Sequence, residues 1–173
     1  MRSIALAIAA LLLLASCSGD PEPIEPGRTK PGRSVTPPAM PSAAQSKSPE
    51  GQVAFVRHVV EVLNYSVRSG STEELERLFA PGCDGCGRYI ARVNSDNADQ
   101  GHVDGFNWNV SKGQVLNGDR VEASVNADAY RRTDPETGKL TRVEAASYHL
   151  GFKLESQDER WLVKELYVPE SAQ

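Results

Sequence analysis

The spacing of the apolar residues changes once along this chain, and that change most restricts the folds open to it. Between residues 53 and 67 apolar side chains recur every three or four positions, which is typical of a helix with a buried face. From Phe106 onward they recur every second position, which is typical of strands. Helices followed by hairpin-linked strands predict an α+β fold with N-terminal helices packed on one face of an antiparallel sheet.

Three helices are predicted before the change. The first begins after Ser48-Pro49 and ends at Ser69-Gly70. Its solvent side is predicted to carry the polar residues Arg57, His58, Glu61, Asn64 and Arg68. A second helix begins at Ser71, which forms a capping pair with Glu74, and it stops at Pro81-Gly82. The third begins near Cys83 and fades into the polar residues 94–100.

Strands are predicted for the rest of the chain. Apolar residues alternate with polar ones around Trp108 and again from Val121 to Ala127, and Asn117-Gly118 between them is a tight-turn sequence. Residues 134–138 form a longer connection. The clearest two-residue period runs from residue 146 to residue 154. A closing strand at residues 161–168 keeps no single alternation.

Composition divides the chain into residues 1–16, 17–48 and 49–173. Residues 18–48 hold seven of the chain's eleven prolines and no aromatic residue, so they bury too little apolar surface to become ordered. We expect them to form a disordered tether, with a proline-rich ligand for a partner as the alternative. The remaining residues suit one domain with a single core.

The predicted domain is acidic. The whole chain has a formal charge of −4, to which Arg2 contributes +1 and the tether contributes +1, so residues 49–173 carry −6. Because the domain also lacks a basic run, it repels phosphate backbones, and nucleic acid is not expected as a partner.

Residues 1–16 have the layout of a secretory signal, with Arg2 before an apolar run. The run is shorter than the roughly 20 residues that a membrane-spanning helix needs. The sequence Leu14-Ala15-Ser16-Cys17 resembles the lipobox of bacterial lipoproteins. This resemblance implies cleavage before Cys17, lipid on the Cys17 thiol, and a chain anchored to the extracytoplasmic face of the cell membrane. An ordinary secretory signal or an uncleaved anchor is the alternative.

The order of the predicted elements, the amphipathic first helix and the closing strand at residues 160–169 resemble the cone fold of nuclear transport factor 2 and its relatives. The resemblance covers about residues 50–169, and it implies a curved antiparallel sheet with the first helix in its hollow. A second resemblance is to an uncharacterised family of actinobacterial lipoproteins, a domain of unknown function. The residues that carry it are Pro49-Glu50-Gly51, Phe55-Val56, Asn64-Tyr65 and the turn at residues 81–86. That family implies a location and a fold but no activity.

Cys83 and Cys86 are the candidates for a chemically reactive site, because lipid would occupy the thiol of Cys17. Paired cysteines in an exported chain usually persist as a bridge, so we expect a structural disulfide. A thiol-redox site is one alternative, and metal binding or free thiols are others. The redox interpretation is disfavoured because such motifs follow a strand, whereas here a helix and Pro81-Gly82 are predicted before the pair.

No catalytic residue, metal site or cofactor is predicted. The histidines do not lie at ligand spacing from one another. They are His58, His102 and His149. Relatives with the cone fold often have a pocket between helix and sheet, and Tyr65, Trp108 and Tyr148 are candidates to line a ligand pocket here. The apolar strand positions carry no acid that could serve as a base, so these aromatic residues are expected mainly in the core.

These patterns favour a lipid-anchored, non-catalytic binding or assembly module of the cell envelope. Its expected partners are the membrane, through lipid on Cys17, and an envelope protein or a small ligand. The alternatives are a small enzyme with a cone-fold pocket and a thiol-redox lipoprotein using Cys83 and Cys86. An enzyme requires a buried acid facing a cavity, redox work requires an accessible Cys83 sulfur, and a binding module requires an exposed apolar or aromatic patch.

Overall fold

The computed structural model describes residues 36–99 and 101–169. The predicted signal peptide, Cys17 and the tether up to residue 35 lie outside the described residues. Within the described part, no helix is both long and apolar enough to cross a membrane. The helices of this part are a 3-10 helix (Ser42–Gln45), α1 (Pro49–Ser69), α2 (Glu73–Glu76) and α3 (Cys86–Asn97). Its strands are β1 (Phe79–Asp84), β2 (His102–Asp104), β3 (Trp108–Asn117), β4 (Arg120–Ala127), β5 (Tyr130–Thr133), β6 (Leu140–Val143), β7 (Ala146–Gln157) and β8 (Arg160–Tyr167).

The strands form two sheets. The larger has the order β1-β8-β7-β4-β3, and its neighbours are antiparallel except for β1, which runs parallel to β8. The smaller sheet, β2-β5-β6, is antiparallel and was not predicted as a separate unit. Bulges in β3 and in the β7–β8 pair bend the strands, so the larger sheet curves around α1. The predicted α+β class is confirmed.

The core lies between α1 and the inner face of the larger sheet. In β4, Val121, Ala123 and Val125 are completely buried, and the residues between them face away from the core. Across the pair with β7, Val121 lies opposite Phe152, and Ala123 lies opposite Leu150. This is the two-residue period that the sequence predicts for a sheet with one buried face.

More of α1 is buried than the sequence predicts. Its start is as expected, since the Ser48 hydroxyl accepts a hydrogen bond from the Gly51 N–H at 3.1 Å. His58 and Asn64, however, are only 3% and 5% exposed, so their predicted place on the solvent side is wrong. Asn64 tolerates burial because its side-chain amide is hydrogen-bonded to both backbone groups of Trp108.

The predicted second helix is reduced to the single turn α2, and a strand replaces its second half. The N-cap residue is Thr72 and not Ser71. Strand β1 follows and pairs in parallel with β8, so Pro81 and Gly82 lie inside a strand and do not end a helix. Proline is compatible with this position because β1 is an edge strand of the larger sheet.

The closing strand β8 contains an extra residue. Leu154 of β7 lies opposite Val163, whereas the neighbouring Lys153 lies opposite Glu165, so Lys164 has no partner position. The buried side therefore shifts by one position at Lys164, which explains why the sequence of this strand keeps no single alternation.

The packed part of the chain begins before the predicted boundary at residue 49. We call residues 40–48 the strap. Ala44, in its 3-10 helix, is 1% exposed. The Trp161 indole N–H donates a hydrogen bond to the Ser46 carbonyl at 2.9 Å, and the Lys47 ammonium lies 4.4 Å from the centroid of the Trp161 ring. The end of the predicted tether is therefore part of the folded domain, because these few residues find specific partners on β8.

Candidate functional site

Two of the three residues predicted for a ligand pocket belong to an aromatic cluster. Trp108 is its centre, with ring centroids of Phe106 at 5.6 Å, Tyr148 at 5.2 Å and Tyr89 at 6.3 Å. Tyr148 is 41% exposed, so part of this cluster lies at the surface. Tyr65 is buried on α1 and makes no ring contact with the others within the described residues. The assignment of these three residues to a ligand pocket stays a prediction.

The aromatic cluster is joined to the smaller sheet through Tyr130, whose ring lies 5.2 Å from Phe106. Burial is the main reason why the pKa values of both Tyr130 and Tyr89 are raised above the ordinary value of 10.0. Both phenols therefore remain protonated at neutral pH, and they can donate hydrogen bonds but cannot act as bases.

Between α1 and the larger sheet, the interior is filled by side chains. The space between Leu63, Phe79, Tyr89, Phe152 and their neighbours amounts to about 10 Å³. A volume of this size holds at most a single water molecule. This part of the fold has no room for a substrate.

A buried acid is present, although the sequence analysis did not single it out. Asp96 on α3 is 4% exposed, and its two carboxylate oxygens accept hydrogen bonds from Arg92 at 2.7 Å and from Arg132 at 2.5 Å. Because both oxygens are engaged by guanidinium groups, this carboxylate joins α3 to β5 and is not available to take a proton from a ligand. Its spacing of four residues from Arg92 on α3 was the signal that could have identified it.

A concave site with a mostly apolar lining lies beneath the strap. This cavity, about 350 Å³ in volume, is the strap cavity. Its apolar lining comes from Met40, Ala44, Phe55, Leu78, Trp161 and Leu162, and its polar lining comes from Gln45, Arg77, Glu159 and Arg160. The strap forms one wall, the start of β8 forms another, and α1 contributes Phe55. The sequence did not reveal this cavity because residues 40–48 were assigned to the tether.

The two arginines of the strap cavity differ in their partners. Arg77 donates hydrogen bonds to both Glu73 and Glu74, so its charge is already compensated. Arg160 forms no ion pair among residues 36–99 and 101–169. The strap cavity therefore combines an apolar wall with one available guanidinium group.

Two further hollows lie side by side between α1 and the edge strand β3, with volumes of about 420 and 390 Å³. Arg57 borders both. At Gly113 the helix approaches the strand so closely that a Cβ atom there would lie 2.8 Å from the Val53 side chain. The first of these hollows is clearly more open to solvent than the strap cavity, and the second has a mostly polar lining.

Cys83 and Cys86 are joined by a disulfide, with Cα atoms 5.6 Å apart. Cys83 is partly exposed near the end of β1, whereas Cys86 is 2% exposed and begins α3. A strand therefore precedes the motif, and the prediction that a helix precedes it is wrong. Whether the bridge is structural or redox-active stays a prediction.

The three histidines lie on three different elements of the fold. His58 is buried in α1, His102 is exposed on β2, and His149 lies on the outer face of the larger sheet, 3.2 Å from a carboxylate oxygen of Glu122. In the part of the chain that the structure describes, no three His, Cys, Asp or Glu side chains are grouped so that they could hold a metal ion.

One family model spans every site described above. It is described as a family of unknown function, DUF6318, and it matches residues 25–167. The chain belongs to the DUF6318 family. The matched region includes the strap, the cysteine pair and the aromatic cluster of this DUF6318 protein. No curated protein is a significant match to the chain.

Solved structures similar to this DUF6318 chain share little sequence with it. A putative calcium/calmodulin dependent protein kinase II association domain from Xanthomonas campestris is 14% identical with a TM-score of 0.42, and the match covers 79% of this chain and 96% of that one. An NTF-2 like protein of unknown function from Shewanella oneidensis is 7% identical with a TM-score of 0.41, covering 66% and 96%. An NTF2-like protein with a cystatin-like fold from Novosphingobium aromaticivorans is 13% identical with a TM-score of 0.40, covering 68% and 83%. The predicted fold type is thus found among the structural neighbours, which carry no argument about function.

Proposed function

We propose that this DUF6318 protein is a lipid-anchored, extracytoplasmic binding module of the cell envelope that holds a small amphiphilic ligand in the strap cavity. The observation that carries the proposal is the shape and lining of that cavity. It is concave and mostly apolar, and it has a few polar groups, which is the usual form of a site for small molecules.

The lining also indicates the chemistry of the ligand. Met40, Trp161 and Leu162, which line the cavity and are partly exposed, offer apolar and aromatic surface to an apolar body. Arg160 has no ion-pair partner in the described part of the chain, so it is free to bind an anionic head group such as a carboxylate or sulfonate. Glu159 borders the same cavity and would repel a head group with several negative charges. A ligand with an apolar body and one negative charge fits these groups best.

The strap cavity is tested by titration with 1-anilinonaphthalene-8-sulfonate, an apolar fluorescent probe with one sulfonate. The full chain carries Cys17→Ser to keep it unlipidated and Trp108→Phe so that Trp161 is the remaining tryptophan reporter. We expect saturable binding with energy transfer from Trp161 to the probe. Arg160→Gln should weaken binding about fivefold, because a charge-assisted contact of about 1 kcal/mol is lost.

The matched control is Arg142→Gln, which removes an exposed arginine from β6, outside the cavity lining. It should leave the affinity for the probe unchanged. Absence of saturable binding, or equal weakening by both substitutions, would contradict a ligand site beneath the strap.

The anchor rests on the resemblance of Leu14-Ala15-Ser16-Cys17 to a lipobox. In a bacterium that processes lipoproteins, we expect the native chain in the membrane fraction, with a terminus at Cys17 whose mass includes a diacylglycerol. Cys17→Ser should move the chain to the soluble fraction, since two acyl chains hold a protein durably and no other anchor is proposed. Cys83→Ser, the control, should stay in the membrane fraction. An unmodified terminus on the native chain would refute the anchor.

A further inference from the structure

The disulfide lies between a strand and a helix, and its two cysteines differ in exposure. Cys83 is in β1 and is partly exposed, with Pro81, Gly82 and Asp84 exposed around it. Cys86 is the first residue of α3 and is almost completely buried. Because Cys83 is the more exposed cysteine of the bridge, an incoming thiolate would attack the Cys83 sulfur, and the sulfur of the buried Cys86 would be the leaving group.

The start of α3 is arranged to receive negative charge on Cys86. Gly85 is the N-cap residue, and among the described residues no side-chain hydrogen bond caps this end of the helix. The first turn also contains no acidic residue. These free N–H groups and the helix dipole stabilise a thiolate at the first helical position.

The backbone geometry keeps a capping side chain out of this position. Gly85 has a φ of +78°, and a Cβ atom there would lie 2.0 Å from the Leu166 carbonyl oxygen. Serine, threonine or aspartate, which usually cap helices, would collide with β8 at Gly85. The close packing of the turn on β8 therefore leaves the first-turn N–H groups to the cysteine pair.

Reduction of the bridge leaves the surrounding elements attached. The two cysteines are three positions apart, so the bridge closes a very small ring and restricts little chain entropy. β1 is paired with β8, and α3 is joined to β5 through Asp96 and Arg132. Both forms of the motif can thus exist in a folded protein, as a redox cycle requires.

From this geometry we infer that Cys83 and Cys86 form a thiol–disulfide exchange site that oxidises a dithiol of another protein. A thiolate of the partner attacks the Cys83 sulfur, the Cys83–Cys86 bond breaks, and its electron pair passes to the Cys86 sulfur. The second partner thiolate then attacks the mixed disulfide and displaces Cys83. Two electrons and two protons pass from the partner dithiol, which becomes a disulfide, to the cysteine pair, which becomes a dithiol. This inference does not depend on the strap cavity or on the anchor.

The test uses the full chain with Cys17→Ser, so that Cys83 and Cys86 are the two cysteines that remain. The protein is equilibrated with mixtures of reduced and oxidised glutathione that set the redox potential. Bridged and reduced protein should be present in comparable amounts at redox potentials where proteins that oxidise other proteins' thiols are themselves half reduced. The circular dichroism spectrum should be unchanged on reduction. A bridge that stays fully oxidised in excess reduced glutathione, or a chain that unfolds when the bridge is reduced, would overturn the inference.

Single variants test the assigned roles of the two sulfurs. Cys86→Ser keeps the accessible thiol and should form a mixed disulfide with oxidised glutathione at least about tenfold faster than Cys83→Ser, which keeps the buried one. The double variant Cys83→Ser/Cys86→Ser is the control for reaction elsewhere and should form none. Equal rates for the two single variants would overturn the assignment of Cys83 as the attacked sulfur.

Discussion

Asn64 connects the central helix to the edge of the larger sheet. Its side-chain amide donates to the Trp108 carbonyl at 2.8 Å and its side-chain oxygen accepts from the Trp108 N–H at 2.8 Å. Trp108 is the first residue of β3, an edge strand, so no neighbouring strand replaces these bonds on the outer side. Asn64 therefore satisfies both backbone groups of Trp108 where the sheet ends.

Replacing Asn64 by leucine should destabilise the fold by about 2 kcal/mol, because the Trp108 backbone groups lose their partners in a partly buried place. Urea denaturation measures the change in the free energy of unfolding. Asn109→Leu is the matched control, since Asn109 is exposed on the same strand and should change stability by less than about 0.5 kcal/mol. Equal loss in the two variants would show that the Asn64 amide bonds contribute nothing specific.

The sequence predicts the apolar residues of α1 better than its polar ones. Val56, Val60 and Leu63 are buried as their spacing indicates. His58 and Asn64 are polar residues of the kind expected on a solvent-facing side. The burial of Asn64 depends on the backbone of Trp108, which comes from another part of the chain. His58 is buried although its Nδ1 has no hydrogen-bond partner within the described residues. A helical pattern records which face is apolar but does not record partners for single polar side chains.

At the scale of elements, local signals identified the elements that form from neighbouring residues. The Asn117-Gly118 turn joins β3 to β4, and the alternation in β4 gives its buried face. Strand β1 was predicted as helix because its partner β8 lies far along the chain, and parallel pairing leaves no local signal. The same difference removes the reason for disfavouring a redox site at the cysteine pair, because redox motifs of this kind follow a strand and β1 precedes this one.

The candidate sites, too, divide into those that neighbouring residues indicate and those that depend on residues far apart in the chain. The cysteine pair and the tryptophan of the aromatic cluster could be singled out from the sequence because their chemistry is visible in single residues. The strap cavity could not, because its walls come from residues 40–45, α1 and the start of β8. Composition placed the first of these walls in a disordered tether, and the packing of Ala44 and the bond from Trp161 to Ser46 could not be read from it.

At the scale of the whole molecule, ionisable groups limit the stable pH range on both sides. Burial raises the pKa values of Tyr89 and Tyr130 above 10.0, so stability is lost above that pH, where the unfolded chain releases phenolic protons more readily. Hydrogen bonds lower the pKa of Asp134 below 3.8, and that contribution is lost as the pH falls below about 4. Between these limits, the buried His58 makes stability depend on pH near neutrality, because its pKa is lowered in the folded chain.

Burial lowers the pKa of His58 below its ordinary value of 6.5, and the nearby Glu61 carboxylate opposes that shift only in part. The unfolded chain therefore binds a proton that the folded chain does not bind once the pH falls below the ordinary histidine value of 6.5. It follows that the contribution of neutral His58 to stability is present above pH 6.5 and is lost as the pH falls below 6.5.

The thermal midpoint of the full chain, measured between pH 8 and pH 5, should therefore decline as the pH falls below 6.5. His58→Gln should lower the thermal midpoint at every pH but make its decline with falling pH less steep. The control His102→Gln, at an exposed histidine, should leave the slope of that decline unchanged. If the decline persists in His58→Gln with its original slope, the buried imidazole is not its source.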